Sequence, residues 1–212
     1  MSSVTTIAPE PASRMSCEER RGSILEAAAA VFGERGYVGA TTDQIARAAG
    51  ISQPYVVRMF GTKENLFVEV LKRALERLLE TFRCAIAEGE RASDDDQQRG
   101  ARIGAAYADL ITNRGLLLSL MQGFILGHDP VIGRVARQGF VDLYALLRDE
   151  AGMEPERARD FLAHGMLFNT LVALRMTDAY GSAERIDELV ECTFRSKLDI
   201  VLQTMKNERA AE

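Results

Sequence analysis

The chain has 212 residues, 47% of them apolar and 27% charged, with a formal net charge of −5. That apolar share is enough for a sizeable core, while every apolar run is broken by Arg, Asp, Asn or Gly well short of the roughly 18 residues a membrane span needs. Cys17, Cys84 and Cys192 are odd in number and scattered, which argues against a disulfide framework and suits reduced thiols in a cytoplasm.

Residues 1–15 carry Ser, Thr and two Pro without an apolar segment, so they are predicted to be a disordered leader and not a signal peptide. Ser16 and Glu19 then form a capping box ahead of an apolar stripe of Ile24, Leu25, Ala28, Val31 and Phe32 that ends at Gly36. Thr41 or Thr42 caps a second helix through Ala49, with Ile45 and Ala48 or Ala49 expected to face inward, and Gly50 supplies a turn. Ser52 caps a short third helix to Phe60, whose first turn tolerates Pro54 because amide donors there have no helical partner. Thr62 caps a long fourth helix with Leu66, Phe67, Val70, Leu71, Leu75, Leu78, Leu79 and Phe82 on its buried face. It is expected to run out near Glu88, leaving the polar stretch 88–98 as a loop.

Five further helices are predicted at roughly 97–113, 115–126, 130–151, 155–178 and 183–206. Asp129-Pro130 and Glu154-Pro155 read as starts, and Gly127, Gly152 and Gly181 as stops. Strand alternation is nearly absent, so the fold class is all-α with about nine helices. The charge divides unevenly: residues 1–75 hold nine Lys or Arg against eight Asp or Glu, net +1, which leaves −6 for the rest. Two short helices about a tight turn, in the less acidic part of the chain, have the layout of a helix-turn-helix DNA reader.

Residues 19–71 resemble the DNA-binding domain of the TetR family of transcriptional regulators. The resemblance is carried by Gly36-Tyr37, Thr41-Thr42, Ile45-Ala46, Ala49-Gly50, Ser52 and Lys63-Glu64 with Leu66-Phe67, all at the family's spacings. It implies a three-helix DNA-binding domain over 16–62, joined by the fourth helix to a helical ligand-binding and dimerisation domain over 63–212. It also implies a homodimer that holds a double-stranded, palindromic operator with its readers about 34–36 Å apart, and a small-molecule effector that releases it. No cofactor, metal or membrane is expected, and repression is the expected sense of regulation.

Gln53 and Pro54 occupy the start of the third helix, where a Gln amide can pair with adenine N6 and N7 or hydrogen-bond to guanine, and a Pro ring can pack on a thymine methyl. Thr42 and Lys63, each at a helix N-terminus, suit phosphates. The family pattern usually places Tyr where this chain has Val57, and His or Tyr where it has Met59; Tyr55 and Arg58 are expected to take over those backbone contacts. Asp43 would repel phosphate and argues against base reading by the second helix.

For the effector, Tyr107, Leu117, Met121, Phe124, Tyr144, His164, Phe168 and Asn169 are the candidate lining, mostly apolar with a few polar groups, which suits a lipophilic molecule. The last two predicted helices carry more apolar surface than one core can cover, pointing to the dimer interface. His128-Asp129 is similar to the metal pair of HD-type phosphohydrolases, but two His in the whole chain cannot build such a site, and no other catalytic spacing is present. An enzyme is therefore not expected. The competing reading is a family-like helical protein with weakened DNA binding that acts through protein partners.

Overall fold

A computed structural model describes residues 16–110 and 113–203; the expected leader and the end of the ninth predicted helix lie outside them. Within the described residues the chain is helical without strands: α1 (Cys17–Gly39), α2 (Thr42–Ala48), α3 (Gln53–Phe60), α4 (Lys63–Ala92), α5 (Asp96–Leu110), α6 (Arg114–Ile125), α7 (Ile132–Ala145), α8 (Pro155–Ala173) and α9 (Glu184–Phe194).

The local signals explain most boundaries. Ser16 and Glu19 satisfy each other's backbone N–H groups at the start of α1, and Thr41 and Gln44 do the same for α2. Gly36, at φ 70°, breaks the helical path of α1 where its stripe ends. Thr62 caps α4 by accepting from the Asn65 N–H at 3.0 Å. Ser52 holds the N-cap position of α3 without a side-chain bond, so Pro54 and the turn before it set that start.

Several expectations are corrected. Ala46 is the second fully inward residue of α2; of the two expected, Ala48 is exposed and Ala49 is half-buried against the core. α4 continues past Glu88 to Ala92, because its polar residues simply face solvent; the left-handed Ser93 ends it and Arg102 clamps the following Asp94 at 2.7 Å. α7 runs on through a π-helical turn, Leu146–Glu150. α8 stops at Ala173 before the left-handed Arg175 and gives way to a 3₁₀ turn, Met176–Ala179. The last predicted helix is broken at Arg195, where φ is 49° and ψ −125°, before residues 198–203 resume helix.

α4 is the central member. It is 30 residues long, about 45 Å at 1.5 Å per residue, and packs on α1, α3, α5, α6 and α7. Its apolar stripe is buried as the pattern predicts, with Leu66, Phe67 and Leu71 fully so and Leu79 half-buried. α1 and α6 approach unusually closely. A methyl group on Gly115 would lie 3.3 Å from the Ala29 and Ala30 backbone, and Gly33 faces Gly115 and Leu118. Gln122 of α6 fastens this seam by donating to the Phe32 carbonyl of α1.

Candidate nucleic-acid interface and ligand cavity

The turn between α2 and α3 is built from the backbone outward. Gly50, at φ 64°, follows the end of α2, with its N–H donating to Arg47 O at 3.1 Å and that of Ile51 to Ala46 O at 3.0 Å. That pairing satisfies the last carbonyls of α2 and sends the chain back on itself, and it needs a left-handed residue at this one position. Val56 and Phe60 bury one face of α3, leaving Pro54, Val57 and Arg58 exposed on the other. An outward stripe one to two turns long, starting at the helix N-terminus, is the shape that fits a major groove.

The structure separates the reader candidates. Pro54 and Arg58 are exposed on this stripe. Gln53 is half-buried and its Nε2 donates to Thr42 Oγ1 at 3.2 Å, so the two candidates form one unit that ties the start of α3 to the start of α2. The half-buried Tyr55 ring lies between two guanidinium groups, Arg58 at 4.9 Å and Arg20 at 5.7 Å. Arg20, from the first turns of α1, thus joins Arg58 at the edge of the stripe; the sequence reading passed it over because only tertiary packing brings α1 to α3. Val57, 40% exposed, offers an apolar surface suited to a thymine methyl where the family pattern places a Tyr. Asp43 is paired with Arg47 at 2.6 Å, so its charge is locally balanced.

Lys63 has other partners than a phosphate. Its ammonium donates to Tyr37 O at 2.8 Å, Ala40 O at 3.1 Å and Val38 O at 3.3 Å, and lies 4.7 Å from the Tyr37 ring centroid. All three protons are committed to the carbonyls that α1 leaves unsatisfied around Gly36, where a cation also meets the negative end of the helix. In this structure Lys63 clasps α1 to α4, where the sequence suggested a phosphate contact.

A cavity of about 430 Å³ lies among α4, α5, α6, α7 and α8 and the break after α9. Gly100, Ala101, Gly104 and Ala105 of α5 leave the space, and Phe82, Phe161, Phe168 and Phe194 wall it. The rings meet edge to face, Phe168 and Phe194 at 4.5 Å and Phe82 and Phe161 at 6.0 Å between centroids. Of the sequence candidates, Tyr107, Phe124, His164, Phe168 and Asn169 lie on the wall. The other three do not: Leu117 is fully buried in the core, Met121 packs half-buried against that core, and Tyr144 is 37% exposed. Helical spacing alone cannot separate the cavity side of a helix from its core side. A wider, open depression at the start of α9 is lined by Glu184, Asp187, Glu188 and Glu191, of which Asp187 and Glu191 already hold Gly181 and Tyr180.

At the buried end of the cavity the Tyr107 hydroxyl donates to Asn169 Oδ1. Burial pushes the phenol up to about 12. Tyr107→Phe should cost about 1–3 kcal/mol at pH 7, because it strips the partner from a buried amide. The sign of the pH dependence follows from the raised value. The tyrosine's contribution is fully present below its unfolded value near 10 and is lost as pH rises through about 12. Urea unfolding should therefore show a shallower loss of stability above pH 10 in the variant than in the wild type.

Asp129 accepts from the Val131 and Ile132 N–H groups at 2.9 and 2.8 Å, the helix-start role read from the sequence. Cys17, Cys84 and Cys192 are free and exposed. Among the described residues no helix is long and apolar enough to cross a membrane.

Comparison with known proteins agrees with this geometry. The family model for bacterial regulatory proteins of the tetR family matches residues 24–70. The chain is 32% identical over 152 residues to the HTH-type transcriptional activator FasR of Mycolicibacterium smegmatis, covering 69% of this chain and 67% of the relative. It is 41% identical over 64 residues to the HTH-type transcriptional repressor KstR2 of Mycobacterium tuberculosis, covering 30% of this chain and 32% of the relative. The fold is similar to the crystal structure of a TetR-like transcriptional regulator from Rhodococcus sp. RHA1, at a TM-score of 0.61 and 21% identity, over 94% of this chain and all of that one.

Proposed function

The chain belongs to the TetR family of bacterial regulatory proteins, and from that membership we propose a ligand-responsive homodimer that binds a palindromic operator and is released from it by a lipophilic small molecule. The observation that supports this best is the co-existence, on one continuous α4, of a helix-turn-helix at one end and an aromatic-walled cavity at the other, with Lys63 in the clasp and Leu78 and Phe82 on the wall. In this reading residues 16–62 are the reader and 63–212 the ligand-binding and dimerisation unit, working in the cytoplasm without a cofactor.

Two rods connect the sites. Gly61 and Thr62 join α3 to the start of α4, and α6 carries Leu120 and Phe124 on the cavity while Gln122 and Gly115 hold α1. A ligand that fits one arrangement of these rods better than another shifts the spacing of the two readers, by its differential affinity and not by a push. Activation is the second reading of the outcome, favoured by the 152-residue similarity to a protein named as an activator. The outward residues Leu167 of α8, Leu174 just beyond its end and Ile200 after α9 are 40–65% exposed, and support a dimer through this region.

The test is selection of random DNA fragments at about 150 mM salt, where most non-specific binding is suppressed, together with light scattering on the free protein. A palindrome and a dimer mass are expected, and Leu167→Glu with Leu174→Glu should give a monomer with far weaker operator binding. A dimer that enriches no sequence would overturn the operator reading and turn the search to protein partners.

A further inference from the structure

We infer that the ligand of the cavity is an amphipathic anion, an aliphatic or aromatic body with one negatively charged headgroup, and that Arg157, Arg195 and Lys197 receive the head. This deepens the ligand-responsive reading above and rests on it. The lining is polarised. Its buried part is aromatic, whereas Arg157, Arg195 and Lys197, with His164, are half-buried or exposed and stand against one lining carboxylate, Asp160. Asp160 is already held by Arg159 at 2.8 Å, and Lys197 has no carboxylate partner among the described residues. Arg157 shares Asp96 with Arg99, at 3.8 and 3.6 Å, so one acid is divided between two guanidinium groups.

The backbone adds an independent observation. Arg195 stands at φ 49° and ψ −125°, a conformation that L side chains rarely adopt, at the point where α9 breaks and the chain turns Arg195 to Lys197 onto the cavity. Strain of this kind collects at ligand clamps. An apolar body alone would need neither the break nor the cations, and a carboxylate loses more hydration than an alcohol on entering. Preference for the anion is therefore a direct readout of the cationic lip.

The experiment compares decanoate, decanol and decyltrimethylammonium, each below its micelle threshold, by calorimetry and by release of the selected operator. Decanoate should bind about tenfold or more tighter than decanol, since charge-assisted hydrogen bonds outweigh neutral ones. The cation should bind weakest, and added salt should narrow the gap. The variant carrying Arg195→Gly and Lys197→Gln should melt no lower than wild type, because glycine relaxes the backbone at 195, yet bring decanoate and decanol within about twofold. Decanol binding as tightly as decanoate, or an anion preference that survives in the variant, would overturn the headgroup assignment while leaving the cavity as a ligand site. Failure of all three probes to bind would remove both.

Discussion

Replacing Phe67 by alanine is expected to cost about 3–5 kcal/mol of stability, equivalent to about 10 °C in midpoint for a chain of this length. Phe67 is fully buried near the start of α4 and meets two rings of the DNA-reading end, Phe32 edge to face at 5.0 Å and Tyr37 at 5.0 Å. Alanine removes the ring's transfer energy, leaves a cavity, and cancels both aromatic contacts. Because Tyr37 also lies under the Lys63 ammonium, the void opens at the joint that fixes α1 against α4, so operator affinity should fall even at temperatures where the variant stays folded. Phe140→Ala is the control: at 36% exposure it should cost less than half as much, with operator binding retained. Thermal and urea unfolding check the first number, and titration of the selected operator at 15 °C checks the second. Equal losses from both variants would mean that the joint has no special role.

The reader was legible in the sequence because its signals are local. Ser16 with Glu19, Thr41 and Gly50 each act on backbone groups within five residues, and the buried stripe of α4 follows from periodicity alone. What escaped depends on partners far along the chain. Arg20 stands beside Tyr55 only through tertiary packing, and nothing around residue 20 announces it. Lys63 sits where the family resemblance suggests a phosphate, but three carbonyls more than 20 residues earlier claim it. The cavity was half legible: Tyr107, Phe168 and Asn169 fall on it and Leu117 and Met121 do not, since apolar residues facing a cavity and facing a core are chemically the same. The break at Arg195 had no signal either, because no Gly or Pro marks it.

The clasp at Lys63 carries the other large effect. Lys63→Met keeps the aliphatic stem and removes the ammonium, leaving the carbonyls of Tyr37, Val38 and Ala40 without their shared donor. Hydrogen bonds to a charged group contribute roughly 1.5–3 kcal/mol each when buried, but this corner is partly open to water, so the total should be about 2 kcal/mol. Operator affinity should drop about tenfold, because the turn between α1 and α2 loses its fixed place relative to α3. A clasp and a phosphate contact differ in one readout. A lysine that neutralises a phosphate takes about one unit off the salt slope when removed, whereas a clasp lowers affinity at every salt concentration and leaves the slope alone. Arg58, exposed at the edge of α3 and stacked on Tyr55, is the reference for the first behaviour: Arg58→Ala should flatten the slope by about one with little change in stability. Parallel titrations of the two variants between about 50 and 300 mM salt decide the matter, and a flattened slope in Lys63→Met would return Lys63 to the DNA backbone.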